Sequence, residues 1–352
     1  MENLLEIISD HTKNNVSNEN MLINTAGIAT VLKILEISLN DDLRRKVNDF
    51  ARPYEHLWTS KGTNDINRNV KCLNANGVFM TIPINEEFMR DCRQIFDALI
   101  MKIDLSEKNR ACDEINAWAK EKTEGFIECI LQPDDISPAL ALLLVNCMFF
   151  KGSWKVTFNS LNSYTNTFTL SSGKKISMPF MNLEEAFCCI LEEDFVAVKL
   201  EYADERYCCI LAMSQEKDIQ DCASKLKMSH VSELIKTQYR DKIILNLPKF
   251  DVSSEMNLSK VLTNLGLAEI YDQNAIVKGK IADCDLLVSE AKQLNRIKVD
   301  EKGTTAASVT MLLAKMSMPA IVTFNKPFLM IIMDTMHMVP VMGCVIENPQ
   351  KI

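Results

Sequence analysis

Leu4, Leu5 and Ile8 recur at helical spacing near the start of the chain and predict a short amphipathic helix over 1–9. The same spacing returns in Ile28, Val31, Leu32 and Leu35, so residues 25–50 read as one or two helices. Residues 51–68 are polar, with Pro53 and Gly62, and read as a loop. A short strand is predicted over 73–81. Residues 86–100 look helical through Phe88, Ile95, Phe96 and Leu99. Residues 108–131 make a long amphipathic helix through Ile115, Trp118 and Ile127. Between 139 and 150 the chain is almost entirely apolar, the pattern of a strand covered on both faces. Strands dominate 168–213, with turns at Ser171-Ser172-Gly173 and Ala203-Asp204. Helix returns over 218–237, and strands follow at 242–250, 320–323, 328–334 and 338–346.

Helices thus dominate the first third and strands the last two-thirds, which favours an α+β arrangement over βαβ alternation. No Gly/Ser/Pro-rich linker and no internal repeat divides the chain, so 1–352 reads as a single domain. Composition then narrows the function. With 352 residues, 47% hydrophobic and 24% charged, the chain can bury a large core. A net charge of −8 argues against the basic stripe of a nucleic-acid binder and offers no attraction to anionic lipid. Neither nucleic acid nor membrane is therefore an expected partner. The longest apolar run, 139–145, is too short to span a bilayer. The first ten residues carry neither a basic n-region nor an apolar h-region, so we expect a cytoplasmic protein.

Twelve cysteines are scattered, some in the adjacent pairs Cys188-Cys189 and Cys208-Cys209. None of the four histidines (His11, His56, His230, His337) has zinc-ligand spacing to a Cys pair. Reduced core thiols are the expectation, with no metal site. The motifs G-x-G-x-x-G, G-x-x-x-x-G-K-[ST], H-E-x-x-H and G-x-S-x-G are absent, and ten glycines are few for a phosphate-loop enzyme. Neither catalysis nor a cofactor is expected. The acidic pairs Asp41-Asp42, Asp134-Asp135 and Glu192-Glu193 read as solvated surface.

Residues 300–319 are unusual. Gly303, Thr304, Thr305, Ala306, Ala307, Ser308, Val309 and Thr310 are small or β-branched, without helical periodicity. As a strand, this stretch would put Thr304, Ala306, Ser308 and Thr310 on one face, all small enough to slide between two existing strands. On composition alone, a flexible loop is an equal reading.

The flanks resemble the serpin family. Glu301-Lys-Gly-Thr-Thr-Ala-Ala-Ser308 is similar to the family's proximal hinge. Phe324-Asn-Lys-Pro-Phe-Leu-Met-Ile-Ile332 resembles its post-loop strand, and Val341-Met-Gly-Cys-Val-Ile-Glu-Asn-Pro349 its C-terminal signature. Leu144-Val-Asn-Cys-Met-Phe-Phe-Lys-Gly-Ser-Trp154, Ile115-Asn-Ala-Trp118, Leu73-Asn-Ala-Asn76 and Leu247-Pro-Lys-Phe250 fit as well. These segments lie in family order from about residue 20 to 349. The sequence departs from the pattern where Asn24-Thr25 replaces Ser-Pro and where Glu36-Ile-Ser-Leu-Asn40 replaces a Gly-rich helix exit. It departs again in the Ser–Asn–His network of the shutter region. There Asn146 is kept and Gln293 takes the His position. Such a Gln resembles intracellular poxvirus serpins, which implies a viral modulator of host proteases, acting in host cytoplasm.

The resemblance implies N-terminal helices packed on large, mostly antiparallel sheets, and an exposed reactive-centre loop at about 301–323. It implies a monomeric suicide inhibitor of a serine protease. The cut loop, hinged on Glu301, Gly303, Thr304, Thr305, Ala306, Ala307 and Ser308, would enter the central sheet past Trp154, Asn146 and Gln293. From Gly303 to Met316 is 13 steps, about 43 Å at roughly 3.3 Å per residue. Counting from the hinge places the scissile bond at Met316-Ser317, with Ser317-Met318 or cleavage after Lys315 as alternatives. Met316 suits an elastase- or chymotrypsin-like apolar pocket, and Lys315 a trypsin-like one. No Asp lies between 302 and 333, against an Asp-directed protease. The alternatives are a serpin-fold binding protein that does not inhibit, and a cross-class inhibitor of a cysteine protease.

Overall fold

The computed structural model describes residues 1–14, 19–59, 70–137, 140–215, 218–303 and 319–351. Its helices are α1 (Glu2–Asn14), α2 (Thr25–Glu36), α3 (Asp41–Ala51), α4 (His56–Thr59), α5 (Glu86–Phe96), α6 (Lys108–Lys122), α7 (Ile219–Lys225), α8 (Met228–Lys236) and α9 (Ser259–Asn264). The strands of the N-terminal half are β1 (Met21–Ile23), β2 (Val70–Met80), β3 (Leu99–Lys102), β4 (Leu142–Gly152), β5 (Tyr164–Thr169) and β6 (Lys175–Leu191). They are followed by β7 (Phe195–Glu201), β8 (Tyr207–Ser214), β9 (Asp241–Pro248), β10 (Phe250–Asn257) and β11 (Val288–Val299). The last three are β12 (Ala320–Thr323), β13 (Phe328–Asp334) and β14 (Val339–Ile346).

Five strands form one sheet in the order β10-β11-β4-β2-β3. Nine form a second, in the order β1-β14-β13-β8-β7-β6-β9-β12 with β5 on β6. Among the described residues, three of the twelve pairings, β4–β11, β2–β3 and β9–β12, are parallel and the rest antiparallel. The expected α+β fold of helices on large, mostly antiparallel sheets is what the chain adopts.

The apolar run at 139–150 becomes β4, and its alternation explains why both faces are apolar. Leu142, Leu144, Met148 and Phe150 face the core between the sheets, while Leu143, Val145 and Cys147 pack with Ile115 and Ala119 of α6. Helix α2 is apolar almost all round because it lies between the sheets, against β2 and β4 on one side and β14 on the other.

Four sequence readings shift. The helix expected over 86–100 stops at Phe96, where Asp97 turns left-handed (φ 47°), and Leu99 starts β3 instead. The helix expected to reach 131 ends at Lys122, because Glu124 and Gly125 both take positive φ. The Thr123 hydroxyl then holds the exit by accepting from the Ile127 N–H and donating to the Ala119 carbonyl. Residues 218–237 split into α7 and α8, with Leu226 and Lys227 extended between them. Within 51–68, residues 52–54 form a 3-10 turn and α4 follows, and 60–68 lie outside the described residues. No helix among the described residues is long and apolar enough to cross a membrane.

Candidate functional site

The chain leaves β11 at the top of its parallel seam with β4 and turns at once. The Gly303 N–H donates to the Asp300 carbonyl at 3.1 Å, with Gly303 at φ +63°. Only glycine fits here, because a Cβ would lie 2.3 Å from the Trp154 backbone nitrogen and 2.5 Å from the Gly152 carbonyl oxygen. Trp154 braces the turn from the other side of the seam. Its indole N–H donates to the Asp300 carbonyl at 3.1 Å, its backbone N–H donates to Lys302, and its ring stacks on Tyr202 at 4.7 Å.

Glu301 is tied down by its side chain, which accepts from Ser163 Oγ at 2.7 Å and pairs with Lys249. Burial raises the Glu301 pKa, but the bonds to Lys249 and Ser163 outweigh it and hold the carboxyl below its ordinary value. Its anchoring is therefore complete above about pH 4.3 and is lost as pH falls through the lowered value. Glu301→Gln is expected to accelerate uptake of a synthetic peptide carrying residues 304–315 several-fold at neutral pH. The wild type should show the same acceleration only on acidification. Equal uptake rates at pH 7 would show that the Glu301 side chain does not restrain the chain leaving β11.

The far end of the loop joins the other sheet. Strand β12 runs parallel to β9, from Ala320 opposite Ile243 to Thr323 opposite Asn246. Asn246 fastens it by donating to Thr323 Oγ1 at 3.0 Å and accepting the Phe324 N–H at 3.0 Å. The loop thus bridges two sheets. Thr304, Thr305, Ala306, Ala307, Ser308, Thr310, Lys315, Met316 and Ser317 lie outside the described residues.

Below the turn, Asn146 and Gln293 face each other as register partners across β4 and β11, and Asn76 of β2 is the register partner of Asn146 on its other side. Gln293 Nε2 donates to Asn146 Oδ1 at 2.8 Å, directly across the seam. Asn146 Nδ2 donates to Asn76 Oδ1 at 2.9 Å and to Asn74 Oδ1 at 2.7 Å. Asn24, the N-cap of α2, exchanges two bonds with Gln293: its N–H donates to Gln293 Oε1 (2.9 Å) and its carbonyl accepts from Nε2 (2.8 Å). Asn295 Nδ2 donates to Gln293 Oε1 at 2.9 Å. Six amide side chains thus close the seam, and none of them titrates.

Sequence reading found Asn146 and Gln293 but did not assign Asn74, Asn76 or Asn295 to this cluster. The signal was available: Asn74/Asn76 and Gln293/Asn295 are each spaced i, i+2 and so share a strand face. Gly27 of α2 lies against the cluster, where a Cβ would sit 2.2 Å from Asn146 Oδ1. Gly27→Ala should cost about 1–3 kcal/mol through this overlap. An unchanged Tm would show that the cluster relaxes freely. On the opposite face of the sheet, Lys292 of β11 reaches Asp135 (3.4 Å), in the connection from α6 to β4. That ion pair ties the connection over the seam.

A family model described as Serpin (serine protease inhibitor) matches residues 5–349. Neuroserpin of Mus musculus is 25% identical over 348 residues, covering 92% of this chain and 84% of that protein. Plasminogen activator inhibitor 1 of Bos taurus is 27% identical over 339 residues, covering 89% of this chain and 83% of that protein. Among solved structures, native protease nexin-1 with heparin aligns with a TM-score of 0.84 at 24% identity, covering 99% of this chain and 97% of that one. Thyroxine-binding globulin in complex with thyroxine aligns with a TM-score of 0.84 at 17% identity, covering 99% and 98%. At these identities the structural likeness speaks for the fold.

Proposed function

The chain belongs to the serpin family, and from that premise we propose that it is a suicide inhibitor of a serine protease rather than a catalyst. The observation that carries this reading is the parallel pairing of β4 with β11, directly beside the point where the loop begins. A strand that turns back at Gly303 runs antiparallel to β11. Since β4 is parallel to β11, the returning strand is antiparallel to β4 as well. Its entry replaces one parallel pair with two antiparallel ones, which adds a ladder of backbone hydrogen bonds and favours the better-paired geometry.

The chain lengths agree. Strand β11 has 12 residues, and 12 residues beyond Gly303 end at Lys315 (303 + 12 = 315). Met316-Ser317 then stands at the far pole when the inserted strand is full. An acyl-enzyme on Met316 is carried the length of the sheet, and its oxyanion hole and triad are pulled out of register, so deacylation stalls. The small side chains of Thr304, Ala306, Ser308 and Thr310 supply a face that can enter without clash, and no proline interrupts 301–318.

A Met at the cut points to a protease with an apolar specificity pocket, ahead of a trypsin-like one that would use Lys315. All twelve cysteines are free thiols, which supports action as a monomer in a reducing compartment such as the cytoplasm. The viral setting belongs to the same proposal and rests on Gln293 in the amide cluster.

Intact mass after mixing with elastase, chymotrypsin and trypsin separately tests the reading. A denaturation-resistant adduct with one of them is expected, and the released C-terminal peptide assigns the bond to Lys315, Met316 or Ser317. Loop cleavage by all three enzymes without an adduct would favour a serpin fold that no longer inhibits.

A further inference from the structure

On the face turned to the core between the sheets, β11 presents Gln293, Asn295 and Ile297, and their register partners on β4 are Asn146, Met148 and Phe150. Going up the seam, the first level has an amide on both sides, the second an amide on one side, and the third is apolar on both. Asn295 is 1% exposed, and its Oδ1 is buried with no hydrogen-bond partner among the described residues. Its Nδ2 already donates to the Leu22 carbonyl (2.8 Å) and to Gln293 Oε1 (2.9 Å). Those two bonds fix the amide orientation and leave one buried acceptor over.

The turn at the top of β11 sets where an entering strand would fall. The Gly303 N–H donates to the Asp300 carbonyl and closes a four-residue turn. A strand leaving it as a two-residue hairpin pairs each residue i with residue 603 − i (300 + 303 = 603). Gln293 then meets Thr310, Asn295 meets Ser308 and Ile297 meets Ala306. Val288, the first residue of β11, meets Lys315, so the whole strand is covered. A slip by one residue would set Met311 between Asn146 and Gln293 and Val309 beside Asn295. Buried amides would then lie against apolar side chains. Ser308 and Thr310 lie outside the described residues, and the register assigns only their inserted positions.

We propose that Asn146, Gln293 and Asn295 read hydroxyl side chains on the entering strand, Thr310 at the first level and Ser308 at the second, and so fix the register of insertion. This rests on the insertion mechanism proposed above. Entry of a strand moves β4 and β11 from adjacent spacing, about 4.8 Å, to about twice that. The 2.8 Å bond from Gln293 Nε2 to Asn146 Oδ1 is then lost. A hydroxyl both donates and accepts. Between the two amides, Thr310 Oγ1 accepts from Gln293 Nε2 and donates to Asn146 Oδ1, which restores both ends. No apolar side chain can do this. One level up, the Ser308 hydroxyl donates to Asn295 Oδ1, the acceptor that the closed seam leaves unpaired. Ala306 is small where Ile297 and Phe150 close in from either side. The amides that hold the seam shut thus become the template for the strand that opens it.

The test is competition for the seam of the full-length protein. A fluorescent synthetic peptide of residues 304–315 competes with unlabelled versions of itself. The Thr310→Val peptide keeps the shape and loses only the hydroxyl. It should compete at least about 5-fold less well, and Ser308→Ala should weaken competition too. Thr305→Val, the same chemical change on the opposite face of the strand, should compete like the unchanged peptide. Against an Asn295→Ala protein, the unchanged and Ser308→Ala peptides should become equal. Equal competition by the Thr310→Val and unchanged peptides, or as large a loss with Thr305→Val, would overturn the register while leaving insertion intact. No uptake of any peptide would instead overturn the insertion mechanism, and the register with it. The peptide series decides the matter even if the Asn295→Ala protein fails to fold.

Discussion

Thr304→Arg is expected to abolish the covalent adduct and to turn the protein into a substrate of its own target. In the proposed insertion, the first residue after Gly303 would enter between β4 and β11 before any other. An arginine on the inward face would bury an unpaired charge at that step. A penalty of only about 3 kcal/mol on insertion shifts the competition between trapping and deacylation by more than 100-fold toward deacylation. Cleavage at the loop should continue at its normal rate, since the proposed Met316-Ser317 bond lies 12 residues further on (316 − 304 = 12). The control is Thr305→Arg, which by strand alternation would take the opposite face of an inserted strand and should leave trapping largely intact. Gel analysis of adduct against cleaved product reads both. If Thr304→Arg still forms a stable adduct, insertion is not how this chain inhibits. If both variants lose the adduct equally, the face assignment is wrong.

Asn146→Ala should produce the largest loss of native stability among single changes in the amide cluster. Asn146 bonds to Gln293, Asn24, Asn74 and Asn76 at once, and it is fully buried. Truncation leaves Asn76 Oδ1 without its donor and removes the one direct side-chain bond from β4 to Gln293 among these contacts. Each buried polar group left without a partner costs about 1–3 kcal/mol. A total near 3 kcal/mol corresponds to a Tm about 4 °C lower for a chain of this length, at about 2.1 cal/mol/K per residue. The same variant should take up a loop-mimicking peptide faster and form polymers on mild heating, because the seam opens more often. Normal thermal stability together with normal peptide uptake would mean that the backbone ladder alone keeps β4 and β11 closed.

The sequence was most legible where one residue's environment depends on near neighbours. The apolar run of β4, the three-and-four spacing of α2 and the β-rich blocks of β13 and β14 all announced themselves. Gly303 proved to be required by a close backbone approach, while the small residues after it lie outside the described residues. Strand β11 was harder to read, because Glu290, Lys292, Arg296 and Lys298 interrupt its apolar positions. Those charges are tolerated because three are paired, Arg296 with Asp251 of β10 and Lys292 with Asp135 and Glu290, and because Lys298 is exposed to solvent. The first two residues of β3, Leu99 and Ile100, were misread as helix because they continue an apolar spacing that Asp97 ends by turning left-handed.

By itself the sequence determined the type of most elements, since periodicity and side-chain size are properties of successive residues. Only the tertiary structure decided that β4 and β11 are parallel neighbours and that six amides from β2, β4, β11 and the N-cap of α2 meet at their seam. Those contacts join residues far apart in the chain. Their register is set by the packing of whole sheets around a shared core, which no local pattern encodes.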